Sequence, residues 1–132
     1  MNPWSRIALI GAAAVVAFDT LASFAARSAG IPYVWASLGS LFLYAAVGYL
    51  AARTSLNRQV RAAALAGLAV GLTDATVGWF VSWVIGPGRV AGGMTVAQWV
   101  FTAAFVALIS SGLAALGGIA GRLNRGASHR AV

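Results

Sequence analysis

Four apolar stretches, at 7–26, 33–52, 62–85 and 95–121, fill most of this 132-residue chain. Each supplies the ~20 residues with which a helix crosses a ~30 Å hydrocarbon core. A soluble domain would have to cover four such stretches with polar surface. With 61% hydrophobic residues, 8% charged residues and a mean hydropathy of +0.86, the chain has no such surface to offer. The expected fold is an all-α integral membrane domain of four transmembrane helices, spanning residues 1–132.

The segments between the stretches are Ser28-Ala29-Gly30-Ile31-Pro32, the polar run from Arg53 to Arg61, and a Gly-rich run from Gly86 to Gly93. Nine arginines and no lysine face only Asp19 and Asp74, for a net charge of +7. Arg6, Arg53, Arg58, Arg61, Arg122, Arg125 and Arg130 fall on one side of the stretches, against Arg27 and Arg89 on the other. This bias places both termini and the middle loop in the cytoplasm, in a multi-pass inner (plasma) membrane protein. Tyr33, Trp35, Trp83 and Trp99 then belong near the outer interface and Trp4 near the inner one. Asp19 interrupts the first apolar run, which separates it from a cleavable signal peptide. Topology accounts for the basic balance, so no nucleic-acid partner is expected. The expected partners are the bilayer and, because four helices enclose little interior, further copies of the chain or a larger membrane complex.

An internal repeat organises the chain. A shift of 55 residues lays Arg6 on Arg61, Ala14 on Ala69, Val15 on Val70 and Asp19 on Asp74. A shift of 69 lays 45–53 on 114–122 with five of nine pairs identical, Gly48 on Gly117 and Arg53 on Arg122 among them. The pattern predicts two parallel tandem helical hairpins, 6–53 and 61–122, related by an axis along the membrane normal and followed by a basic tail at 123–132.

The two acids carry the sharpest chemical signal. Each lies 13 positions beyond the arginine that opens its helix, roughly 20 Å along the axis and inside the hydrocarbon zone. An ionised carboxylate costs a few kcal/mol or more there, so each acid must face the interior, find a partner or hold a proton. Gly11, Val15, Asp19, Ser23 and Arg27 form one helical stripe, and Gly67, Gly71, Asp74, Gly78 and Ser82 form its counterpart, with Thr73 and Thr76 close by. Asp19, Asp74, Ser23, Thr73, Thr76, Tyr44 and Arg27 are the expected interior polar site for a proton, an ion or a small solute. Gly67, Gly71, Gly78, Gly117 and Gly121 are expected to let helices approach closely. Ser37, Ser40, Ser110 and Ser111 are further polar candidates.

Other chemistries lack their parts. With no cysteine, and with His129 as the single histidine in the polar tail, no metal centre, haem ligand or nucleophile–base set can be assembled. No cofactor and no enzyme activity are expected. The expected role is a channel or transporter built on the two acids, with a non-catalytic accessory or assembly subunit as the alternative.

Overall fold

The computed structural model describes residues 2–55, 59–89 and 93–128, without the side chains of Ala36 and of 125–128. Arg58, His129 and Arg130 lie outside the described residues, as does the side chain of Arg125. The chain folds into four helices: α1 Pro3–Ala29, α2 Val34–Thr54, α3 Gln59–Ile85 and α4 Val96–Ser128. No strand occurs among the described residues. Three helices, Pro3–Ala29, Gln59–Ile85 and Val96–Asn124, are long and apolar enough to cross a membrane.

Local chemistry sets the helix ends. Pro3 opens α1 at the position where a missing N–H costs nothing, and Gly30 closes it in the left-handed conformation at φ 66°. Thr95 and Gln98 form a reciprocal capping box at the start of α4: the Thr95 N–H donates to Gln98 Oε1 at 2.9 Å and the Gln98 N–H donates to Thr95 Oγ1 at 3.2 Å. The segment expected as a tail, 123–132, continues α4 as far as Ser128. Arg122, Leu123 and Asn124 contain no breaker, and a helix with its backbone already paired propagates through them.

Close contacts fix the directions of the helices. A Cβ on Gly11 would lie 2.6 Å from Val47, and one on Gly39 would meet Phe18, so α1 and α2 are antiparallel. Gly67 faces Ser110 and Ala114 while Gly71 faces Ser110 and Val106, so α3 and α4 are antiparallel too. Gly117 against Ala45 and Gly121 against Tyr49 make α2 and α4 parallel; Gly11 against Val70 and Gly78 against Asp19 do the same for α1 and α3. The start of α1, the end of α2, the start of α3 and the end of α4 therefore share one end of the bundle. That half is buried and apolar, built from Ala8, Val15, Val47, Ala51, Ala66 and Val70.

The bundle is less symmetric than the sequence repeat. Helices α2 and α3 touch, whereas α1 and α4 do not touch among the described residues. The contacts of α1 with α3 pair 11 with 70 and 19 with 78, and the Asp19 carboxyl also meets Asp74, its counterpart at the shift of 55.

Candidate functional site

Asp19 is only 3% exposed, on the face of α1 that packs against α3. Its carboxyl meets that of Asp74. Tyr44, also 3% exposed, comes in from α2 and donates its hydroxyl to Asp74 Oδ2. Three helices thus bring three acidic or phenolic oxygens to one point.

Two local features of α3 make room for this. From Asp74 to Gly78 the helix widens into a π-turn, in which the Trp79 N–H reaches back to the Asp74 carbonyl. Such a turn inserts one residue and re-aims the side chains around it, and in helices it recurs at functional positions. Gly78 then leaves the surface of α3 bare: a Cβ there would collide with Asp19 Oδ2 and lie 2.9 Å from Asp74 Oδ1. Gly78, expected as a helix-packing residue, is the floor on which the Asp19 carboxyl rests.

Asp19 Oδ2 is buried and meets no hydrogen-bond donor among the described residues. Its neighbour is another carboxyl, which donates only when protonated. Two facing carboxylates repel each other, whereas one proton between them satisfies both. A hard cation bound by the same oxygens would have the equivalent effect.

The acids open onto a cleft of about 340 Å³ between the diverging halves of α2 and α4. One wall is polar: Tyr33, Ser37, Ser40 and Tyr44 follow one face of α2 at helical spacing, from the end away from the termini down to Asp74. The 11 steps from Tyr33 to Tyr44 span about 16 Å. The opposite wall carries Phe105, Val106 and Ile109 of α4. Toward the termini the cleft is shut, because Gly48 lies against the Ala114 backbone and Gly117 against that of Ala45. A larger cavity of about 490 Å³ beside Trp79, Phe80, Trp83 and Trp99 has no acid or base in its walls and offers no comparable chemistry.

The remaining expected residues divide. Ser23 is fully buried on the α1 stripe, and its hydroxyl, like that of Ser82 on α3, has no hydrogen-bond partner. Thr73 and Thr76 do not join the site: each donates to its own helix, to the Ala69 carbonyl at 2.9 Å and the Leu72 carbonyl at 2.6 Å, and Thr76 is exposed. A threonine in a helix satisfies itself this way without any tertiary partner. Arg27 is not a counter-charge for the acids, since its Nη1 donates to the Ile85 carbonyl at 2.8 Å, at the end of the bundle. Gly67, Gly71, Gly117 and Gly121 lie at the α3–α4 and α2–α4 contacts. Sequence reasoning missed the π-turn, the closing role of Gly48 and the position of Trp79, which is half-buried and donates Nε1 to the Gly88 carbonyl at 3.3 Å. Only Gly48 had left a trace, as the partner of Gly117 in the repeat. Comparison with protein families, characterised proteins and solved structures gives no match.

Proposed function

We propose that this is a four-span inner-membrane protein that takes up a proton or a small cation at Asp19, Asp74 and Tyr44 and moves it across the bilayer. The reading rests on one observation: a buried carboxyl, Asp19, and a partly buried one, Asp74, face each other at the base of a cleft whose wall is a line of hydroxyls. Membrane interiors hold such acids at high cost, and transport or proton relay is what they commonly serve. At 21 residues, or about 31 Å, α2 is long enough to be the fourth span. The seven-to-two arginine bias sets the termini in the cytoplasm, so the cleft opens outward and its closed end faces in. The two hairpins derive from a duplication that brings the equivalent acids Asp19 and Asp74 together, and the exposed apolar faces leave room for a second copy or a larger complex.

Flux decides the matter. The protein is reconstituted in liposomes carrying a pH-sensitive dye or a cation indicator, as wild type, Asp19→Asn, Asp74→Asn and the double variant. Loss of flux in the variants, with helical content and elution volume unchanged, is expected. Wild-type flux no faster than empty liposomes, or full flux in the double variant, overturns the reading and leaves an assembly subunit in which the acids only lock helices together.

A further inference from the structure

Arg27 and Arg89 are the two arginines that the charge bias does not explain, because that bias works against positive residues at their end of the bundle. They come from different elements, the last turn of α1 and the segment after α3, yet they line one cavity of about 420 Å³ together with Ile85, Gly86 and Pro87. Each is held by a carbonyl of α3. Arg27 Nη1 donates to Ile85 at 2.8 Å, while Arg89 Nε donates to Trp83 at 3.0 Å and lies over its ring at 5.5 Å. One donor of each guanidinium fixes its orientation, and a guanidinium has five. Gly86, at φ 127°, turns the chain between the two and leaves open space where a side chain would stand.

The charge at this cavity is not neutralised by the chain. Its two acids lie deeper: Asp19 is 8 residues from Arg27, about 12 Å along α1, and Asp74 is engaged with Asp19 and Tyr44. The C-terminal ends of α1 and α3 supply about half a negative charge each, short of two guanidiniums. Two oriented, forked donors beside an open cavity are the recognition geometry for a tetrahedral oxyanion.

We propose that Arg27 and Arg89 form a binding site for a phosphate-class oxyanion, supplied by an anionic lipid headgroup or by free phosphate. The site is separate from the acid pair and does not rest on transport. Two probes distinguish the sources. Inorganic phosphate is titrated calorimetrically into the full chain in a neutral detergent. Phosphatidylglycerol is offered in phosphatidylcholine nanodiscs, and the lipid retained is counted by native mass spectrometry. The proteins are wild type, Arg27→Gln, Arg89→Gln, the double variant, and Arg6→Gln as a charge control at the opposite end, all matched for helical content. Binding of one probe is expected, weakened by about tenfold or more in the double variant and by less in each single one, with Arg6→Gln unchanged. Phosphate binding in detergent assigns a free anion; lipid retention without phosphate binding assigns a headgroup. Absence of both, or equal weakening by Arg6→Gln, overturns the site.

Discussion

Gly48→Ala tests the contact that closes the bundle. The added Cβ would overlap the Ala114 carbonyl oxygen and Cα, and would lie 2.5 Å from the Ala114 carbonyl carbon. Ordinary contact begins at 3.4 Å and the oxygen and Cα lie closer than the carbonyl carbon, so α2 and α4 must part by more than 0.9 Å, and backbone atoms cannot swing aside as a side-chain tip can. A gap of that size removes roughly a quarter to a half of the dispersion energy along the seam, and overpacking of this kind typically costs about 1–3 kcal/mol. Against it stands a helix-propensity gain of about 1 kcal/mol for Gly to Ala. Net destabilisation of about 0–2 kcal/mol is expected, and about 1–3 kcal/mol relative to a glycine-to-alanine change that meets no obstacle. Gly112→Ala, on α4 with nothing within 4 Å of the added carbon, keeps the propensity gain without the collision and is the internal standard. Thermal unfolding in detergent, followed by the fluorescence of the five tryptophans, compares the two. If Gly48→Ala melts at or above Gly112→Ala, the close α2–α4 seam is not what holds that end together.

Three further outcomes are expected. Gly78→Ala should push the Asp19 carboxyl off α3 and alter flux, while costing only about 1–2 kcal/mol because the obstacle is a side-chain end; Gly78→Ala should cost less still in an Asp19→Ala background, a coupling that a double-mutant thermal cycle would reveal or refute. Ser23→Ala and Ser82→Ala each remove a buried hydroxyl with no partner, so their melting temperatures should hold or rise, by up to about 1 kcal/mol of stability, and a marked drop would mean that those hydroxyls are hydrogen-bonded. Reporter fusions at Val132 should be active only on the cytoplasmic side, and activity outside would invert the proposed topology.

The helices were legible in the sequence because apolar length and Gly or Pro punctuation act locally. Gly11, Asp19 and Ser23 share the buried face of α1 because a regular helix keeps its period. On α3, Gly67, Gly71, Gly78 and Ser82 of the stripe are buried too, although the π-turn adds a residue at Asp74–Gly78 and no residue type announces it. Thr73 and Thr76 looked like site residues by proximity in sequence, but their hydroxyls had a nearer acceptor one turn back. Tyr44 was singled out as a polar residue in an apolar span; that it meets Asp74 depends on how α2 crosses α3, which no spacing within one helix encodes.

The contacts of α4 also order the assembly of the protein in time. Both close seams, α2 with α4 and α3 with α4, need the last helix to be made, and α1 takes no part in them. In the proposed four-span arrangement, Gly48, Gly67 and Gly71 would stand as bare notches until α4 is complete. The first hairpin and α3 would then sit side by side in the bilayer until α4 fills those notches, as inserted helices do before they associate. A nascent chain stalled before residue 96 would thus hold its two acids without the helix that forms the far wall of their cleft.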